Sequence, residues 1–437
     1  MKIQQIQLNS YNHTGISNNN ITCGYKSPYL YLKSVPGNCC ACCGNEMIPA
    51  KDISAAWSKI TRPLTTLLKE GRFDFAETVF PQIYKILTKF AKKYPDKSLD
   101  SIVSEPNNHY EFMTAIADSF EGDEEYKKLS APKQQREVSN RTMEMFRISS
   151  AVLKDSAEVI KNLKPLEHYL HGYRKKIFQE LEGLSEKYPD KKLYEIIKYP
   201  EVAEKYVENT YLEATEFAKI RDEHWNKADK IISDKYPELE IPLKKLYTSI
   251  CQIYRGIIDP VRVAYEIREK YNSFIDSYKL DDIREPVMAE ITQMPTILFS
   301  ENSFLSFARR YYNDSEIVNY VIKPFMESAT HIDTISEGGT NAISNIIMMC
   351  RDCNESQKNF TCSKNLAIHP EMIENSKKQI DFYADKILAG ELPEILKNYP
   401  IKIAKKLYRS SEGLIDYNTD NYLKELEKKE KLSNNHQ

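Results

Sequence analysis

The residues best suited to chemistry in this 437-residue chain are two close pairs of cysteines that lie far apart in the sequence. Cys40 and Cys43 form one C-x-x-C pair, and Cys350 and Cys353 form the other. A tight C-x-x-C turn directs two thiolates at one ion, and four thiolates complete the closed tetrahedral ligand set of structural zinc. The two pairs therefore predict a structural Zn²⁺ site.

The distance between the pairs limits this interpretation. Residues 44–349 lie between them, whereas the pairs of an ordinary zinc ribbon are roughly 15–20 residues apart. A shared site requires the intervening chain to be an insertion whose ends lie close together; the alternative is two unrelated pairs. Cys39 with Cys42 is another possible first pair, but Gly44 favours Cys40 with Cys43 because glycine readily adopts the left-handed turn that often follows a knuckle.

The segment before the second pair has a recognisable pattern. It reads His331-Ile332-Asp333, then Gly338-Gly339-Thr340-Asn341, then Asn345, then Cys350-Arg351-Asp352-Cys353-Asn354. This pattern resembles the HNH endonuclease family, whose ββα-metal module often reads Asp-His-Ile, Gly-Gly-Thr-Asn, Asn, and C-x-x-C followed by His or Asn. The resemblance covers residues 330–359 and the distant knuckle at 40–44. It implies a zinc-knuckle-containing HNH or HNN module that is split by a large helical insertion.

The resemblance also implies a role for each matching residue. His331 would be the general base that activates water for phosphodiester hydrolysis, because histidine side chains ordinarily titrate near neutral pH. Asn345 would hold the loop and orient this base, and Asn354 would help to bind a catalytic Mg²⁺ or Mn²⁺ ion. Lys358, one helical turn later, would contact a DNA phosphate; the alternative for it is a solvated surface lysine.

One position departs from the family pattern. The family usually has an acidic metal ligand directly before the catalytic histidine, and this chain has Thr330 there. A hydroxyl is a much poorer ligand for a hard cation than a carboxylate. Either Asp333 or Glu337 substitutes as the ligand, or the module is weakened or inactive.

The rest of the chain has a helical composition. Residues 51–300 contain few glycines, are rich in Lys, Glu, Leu, Ile and Ala, and are divided by prolines into about seven to ten helices. We therefore expect a mainly α protein with a small α+β module, a split treble-clef or ββα-metal HNH finger that carries a large helical insertion. The expected domains are an N-terminal segment with the first knuckle (1–50), the helical insertion (51–300), the HNH module (301–365), and C-terminal helices with a polar tail (366–437).

Charge is unevenly distributed. The formal net charge is −2, from 61 Lys+Arg against 63 Asp+Glu, which argues against a surface that binds nucleic acid everywhere. Residues 1–65 are locally basic, whereas residues 300–365 are slightly acidic. A predicted helix places basic residues on one face, where they contact phosphates or simply face solvent: Lys402, Lys405, Lys406 and Arg409.

These features predict a metal-dependent HNH-type endonuclease that hydrolyses DNA, and the resemblance implies a setting in antiphage defence or a mobile element. The alternative is a catalytically weak or inactive, zinc-stabilised helical protein that binds protein or nucleic acid. In that alternative the insertion would bind a protein partner. In a nuclease it would bind a protein partner or an activator. No apolar run reaches the roughly 18 residues of a membrane helix, and close cysteine pairs suit a reducing compartment, so we expect no membrane contact and a cytoplasmic location.

Overall fold

The computed structural model describes residues 29–32, 35–103, 105–150, 153–256, 260–296, 300–357 and 360–434. Helices dominate these residues: α1 Tyr29–Leu32, α2 Ala50–Ile60, α3 Leu64–Lys69, α4 Asp74–Val79, α5 Pro81–Lys93, α6 Leu99–Val103, α7 Pro106–Asp118, α8 Glu124–Lys128, α9 Ala131–Ser150, α10 Ser156–Leu163, α11 Gly172–Lys187, α12 Leu193–Ile196, α13 Pro200–Lys235, α14 Glu240–Gly256, α15 Pro260–Tyr278, α16 Arg284–Ile291, α17 Glu301–Tyr311, α18 Asp314–Ile322, α19 Arg351–Gln357, α20 Cys362–Ile368, α21 Met372–Leu388, α22 Tyr399–Ser410 and α23 Asp420–Asn434. Short 3-10 helices occur at Lys164–Tyr169, Pro237–Leu239, Asp281–Ile283, Lys323–Phe325, Ile335–Glu337, Ile343–Asn345 and Glu394–Leu396. No helix in these ranges is long and apolar enough to cross a membrane.

The predicted insertion contains more helices, and shorter ones, than its composition suggests. Helices α2 to α16 all fall between residues 50 and 291. Several begin at a proline, including α5, α7, α13 and α15, because proline is tolerated in the first helical turn but not in the interior. The estimate of about seven to ten helices was therefore too low, since further helices such as α4, α6, α8 and α10 begin without a proline.

Two strands form the α+β module. Strands β1 (Glu327–His331) and β2 (Ile346–Cys350) pair antiparallel, with Glu327 opposite Cys350 and His331 opposite Ile346. Helix α19 begins directly after β2 and packs against both strands, which gives the order ββα. This arrangement confirms the prediction of a mainly α protein with a small α+β module.

The N-terminal knuckle segment docks beside this hairpin. Ile48 forms a parallel bridge with Met326, donating its N–H to the Phe325 carbonyl at 2.9 Å and accepting from the Glu327 N–H at 3.2 Å. The Ala41 N–H donates to the Met348 carbonyl at 3.1 Å. The backbone thus joins the two ends of the long intervening segment.

Buried apolar side chains form separate clusters around this junction. One cluster joins the first knuckle, the hairpin and the C-terminal helices, with members such as Met47, Met348, Ile380 and Leu407. A second cluster packs Ile48 and helix α2 against helices α10, α11, α17 and α18. Two more lie within the helices of residues 64–146 and 225–294. The first two clusters fix the position of the module, and the division into four domains remains a prediction.

Candidate functional site

Four cysteine thiols meet where the two ends of the insertion join. The Sγ atoms of Cys40, Cys43, Cys350 and Cys353 all lie within 4.8 Å of one another. Sulfur atoms that ligate zinc tetrahedrally at about 2.3 Å lie about 3.8 Å apart, so this group suits a single metal ion. The four cysteines are those paired in the sequence analysis, and the alternative partners Cys39 and Cys42 lie outside the group.

A left-handed turn shapes the first knuckle. The Gly44 N–H donates to the Cys40 carbonyl at 2.9 Å, and the Cys40 N–H donates to the Asn45 carbonyl at 2.8 Å. Gly44 has a φ of 73°, which only glycine adopts without cost. A Cβ there would also lie 2.8 Å from Oδ1 of Asn375, whose Nδ2 donates to the Cys42 carbonyl at 2.8 Å. The left-handed residue expected after the knuckle is present.

Hydrogen bonds among the four clustered cysteines favour the thiolate form of one of them. Bonds from Cys350, Cys353 and Cys40 hold the pKa of Cys43 far below that of an ordinary thiol, with Cys350 the largest contributor. Nδ2 of Asn45 donates a further bond to the Cys43 Sγ at 3.3 Å. The same network raises the pKa of Cys353, chiefly through Cys350. A metal ion bound here would displace the shared protons.

The hairpin places His331 at the end of β1, where its ring is half-buried. Its Nε2 lies 2.8 Å from Oδ1 of Asn341. An amide oxygen only accepts hydrogen bonds, so Nε2 donates to it, and in the neutral imidazole Nδ1 keeps its lone pair. Asn341 thus fixes the tautomer of a basic imidazole. The sequence analysis assigned Asn341 no role, although its position in Gly-Gly-Thr-Asn was the available signal.

Asn345 closes the loop that follows His331. It is 2% exposed, and its Oδ1 accepts from the Asp333 N–H at 3.0 Å. Its Nδ2 donates to the carbonyls of Asp333 and Thr340, both at 2.9 Å. One side chain therefore satisfies three backbone groups across residues 333–340, which suits the loop-holding role predicted for it.

The loop also requires a glycine at position 339, where two of its backbone segments approach closely. The Gly339 N–H donates to the Thr334 carbonyl at 2.9 Å. A Cβ on Gly339 would lie 1.9 Å from the Asp333 carbonyl oxygen, well inside any allowed contact. The second glycine of Gly-Gly-Thr-Asn is thus explained by close backbone approach.

Asp333 is held by a lysine. Its carboxylate forms an ion pair with Lys406 of α22. Burial alone would raise the pKa of Asp333, but hydrogen bonds with Lys406 and Ser410 outweigh it and lower that pKa. Asp333 as a cation ligand and Lys406 as a phosphate contact remain predictions, and this ion pair competes with both.

The other predicted basic residues lie on the same helix. Helix α22 packs against the 3-10 helix Ile343–Asn345 and buries Ile403, Ala404 and Leu407. Lys402, Lys405 and Arg409 are exposed. Lys358 lies outside the described residues.

A hard cation finds few protein ligands beside His331. Nδ2 of Asn354 donates a hydrogen bond to the Ser328 Oγ at 2.6 Å. The amide oxygen of Asn354 is left as an uncharged metal ligand. The Thr330 Oγ1 is buried without a hydrogen-bond partner, and the Glu337 side chain lies outside the described part of the structure. Among the described His, Cys, Asp and Glu side chains, only the four cysteines form a group of three or more that could hold a metal ion. These residues do not fit a carboxylate-rich Mg²⁺ site.

The Asp333–Lys406 pair predicts a charge-exchange result. Lys406→Asp and Asp333→Lys should each destabilise the loop by about 1 kcal/mol, since both side chains are about one-third exposed. The double exchange should recover most of that loss, measured as hydrogen exchange of residues 332–345. Breaking the fully exposed Glu240–Lys244 pair with Lys244→Ala should change nothing there. Double-exchange protection no better than that of the single variants would contradict the pairing.

The geometry and the sequence comparisons agree on one class of module. The two strands and α19 form a ββα unit with His331 at the end of its first strand, beside a four-cysteine group that could hold a metal ion. The family model HNH endonuclease matches residues 327–360, which span β1, the loop, β2 and α19. We refer to these residues, which match that family, as the HNH module. No curated protein and no solved structure matches the chain.

Proposed function

We propose that the HNH module is a metal-dependent endonuclease that hydrolyses phosphodiester bonds of DNA. The supporting observation is the orientation of His331, whose Nε2 is engaged by Asn341 at 2.8 Å, inside a loop held by the buried Asn345. A positioned imidazole with a lone pair on Nδ1 has the chemistry of a general base. The family match at residues 327–360 favours phosphodiesters as its substrate.

In the proposed reaction, Nδ1 of His331 takes a proton from a water molecule as the water oxygen attacks phosphorus. The bond from phosphorus to the leaving sugar oxygen breaks, and that oxygen is then protonated from solvent. A divalent cation would neutralise charge on the phosphate, and Asn354 would be one ligand of Mg²⁺ or Mn²⁺. Because the described residues fit such an ion poorly, metal dependence is proposed from the family alone, and no step is assigned to the ion.

Binding of DNA is proposed to involve the exposed side of α22. Lys402, Lys405 and Arg409 are exposed on the helix that packs against the 3-10 helix Ile343–Asn345, and surface cations can contact phosphates without reading sequence. Because the chain has a net charge of only −2, we propose weak DNA affinity without a protein partner bound to the insertion. Antiphage defence or a mobile element remains the proposed setting.

Plasmid nicking tests the nuclease directly. Purified protein with Mg²⁺ or Mn²⁺ should convert supercoiled to open-circular DNA, and His331→Ala should slow this by about 10²- to 10⁴-fold, the usual contribution of a general base. His168→Ala is the matched control, since His168 is exposed and its ring contacts the neighbouring Tyr169 ring. It should nick at the wild-type rate.

A second candidate function is a catalytically weak or inactive zinc-stabilised protein that binds protein or nucleic acid. Thr330 stands where the family has an acidic ligand, and Asp333 is paired with Lys406; both observations favour it. Equal inertness of the wild type and His331→Ala at high protein concentration, with either cation, would replace the nuclease proposal with this one.

A further inference from the structure

A fifth cysteine lies beside the four-cysteine group without belonging to it. Cys42 is 5% exposed, and its thiol shares a hydrogen bond with the thiol of Cys353. Both residues also line the same small cavity of about 10 Å³, which is about the space of a single water molecule. Cys42 is therefore a close neighbour of one cysteine of the group.

The fold holds these two cysteines in place from different parts of the chain. The carbonyl of Cys42 accepts a hydrogen bond from Nδ2 of Asn375 at 2.8 Å. Cys353 lies in α19, and its N–H donates to the Sγ of Cys350 at 3.5 Å. The contact between the Cys42 and Cys353 thiols is thus a consequence of how the first knuckle docks on the ββα unit.

A large cavity borders the same group of cysteines. Its volume is about 1270 Å³, and Cys43, Cys350 and Cys353 are among the residues that line it. Cys43 and Cys353 are partly exposed, whereas Cys40 and Cys350 are buried. A small solute in the cavity can therefore approach Cys353, while Cys42 does not line this cavity.

This arrangement has the two parts that reversible thiol oxidation requires. One cysteine must be accessible to an oxidant, and a second thiol must lie next to it to resolve the oxidised sulfur as a disulfide. A structural zinc ion needs only four thiolates, so the ligand set gives Cys42 no role. Cys42 also has no part in the proposed nuclease chemistry.

We propose that Cys353 is an oxidation site and that Cys42 is its disulfide partner, so that a peroxide converts the four-cysteine group to a state that no longer holds zinc. The Cys353 thiolate attacks hydrogen peroxide, the O–O bond breaks, hydroxide leaves, and the sulfur becomes a sulfenic acid. The Cys42 thiol then attacks that sulfur, the S–O bond breaks, and the oxygen leaves as water with the Cys42 proton. The two sulfurs lose two electrons in total, and these reduce the peroxide to water and hydroxide.

The disulfide would leave only three thiolates in the group. A disulfide sulfur carries no charge and does not replace a thiolate as a zinc ligand, so the ion should be released. Added thiol reductant should reverse the reaction. The proposal depends on zinc binding by the four cysteines and not on the nuclease proposal.

Tandem mass spectrometry of the full chain after treatment with hydrogen peroxide tests the proposal. Trypsin cuts after Arg351 and Lys358, so residues 352–358 form a peptide whose sole cysteine is Cys353. In wild-type protein that is alkylated and digested without reductant, this peptide should be linked to residues 34–51 through Cys42. Release of about one zinc per chain, measured with a zinc-binding dye, should accompany the link, and dithiothreitol with added zinc should reverse both.

The variant Cys42→Ser separates the disulfide from the metal site. Because Cys42 lies outside the four-cysteine group, the untreated variant should hold as much zinc as the wild type. After peroxide, its Cys353 should oxidise further to a sulfinic acid, which thiols do not reduce, so zinc recovered after dithiothreitol should fall about tenfold. Cys39→Ser is the matched control, since Cys39 is in the same knuckle but is exposed and outside the group. It should form the link and recover zinc as the wild type does.

The proposal would be overturned if peroxide released zinc without forming the Cys42 link, or if residues 352–358 were linked to Cys350 instead. Equal recovery of zinc in Cys42→Ser and wild type would also overturn it, because another thiol would then be the partner. A Cys42→Ser variant that melts as the wild type does but holds no zinc would identify Cys42 as a ligand and would overturn it too. His331→Ala should form the same link, so an inactive nuclease leaves this test intact.

Discussion

Replacing Cys350 with serine should remove zinc from the protein and unfold the module that the two distant chain segments build together. A serine hydroxyl remains protonated at neutral pH and cannot take the place of a thiolate ligand. The apparent binding free energy of a structural zinc site is about 10–16 kcal/mol, which is comparable with the whole stability of an ordinary domain. Mass spectrometry of metal content should find about one zinc per wild-type chain and none in the variant.

The structure also predicts which segments lose protection from hydrogen exchange in the Cys350→Ser variant. Backbone hydrogen bonds join residue 41 to residue 348 and residue 48 to residues 325 and 327, so both segments should lose protection from hydrogen exchange together. The helices of residues 64–146 and 225–294 have cores of their own and should keep their protection. Cys362→Ser is the matched control, because Cys362 is also buried but does not belong to the four-cysteine group. Wild-type protein without zinc, or full zinc in Cys350→Ser, would refute the split site.

The four-cysteine group could be predicted because the signal of each of its turns is local. Each C-x-x-C turn is defined by four residues, and Gly44 marks the first one through a backbone angle that other residues avoid. The pairing of turns separated by residues 44–349 had no local signal. It was predicted from the ligand chemistry of four thiolates, and the family resemblance strengthened that prediction. That resemblance also predicted the ββα order and the loop-holding position of Asn345.

The contacts that escaped prediction join elements far apart in the chain. In the sequence, Lys406 is one of several basic residues on a predicted helix face. Nothing in the adjacent sequence shows that it pairs with Asp333, 73 positions away. The Arg174–Asp352 bond, which joins α11 to α19, spans 178 positions. Such features depend on tertiary packing, which single-sequence periodicity does not report.

Replacing Asn345 with aspartate should disorder the His331 loop while leaving the zinc group intact. The substitution keeps the shape of the side chain but removes both Nδ2 donors, so a buried carboxylate would face the carbonyls of Asp333 and Thr340, which now lie 2.9 Å from Nδ2. Each unsatisfied buried group costs about 1–3 kcal/mol, and a charged one costs more. We expect protection of residues 332–345 to fall sharply.

The same change should separate loop order from overall folding. Because Asn341 and His331 both depend on this loop, plasmid nicking should drop by about 100-fold, the effect of misplacing a catalytic group by roughly 1 Å. Zinc content should remain at the wild-type value, since residue 345 contacts none of the four cysteines through its side chain. Asn107→Asp, at an exposed position of α7, introduces the same charge and should leave exchange and nicking unchanged. Wild-type loop protection in Asn345→Asp would mean that the three hydrogen bonds do not hold the loop, and the orientation of His331 would then need another cause.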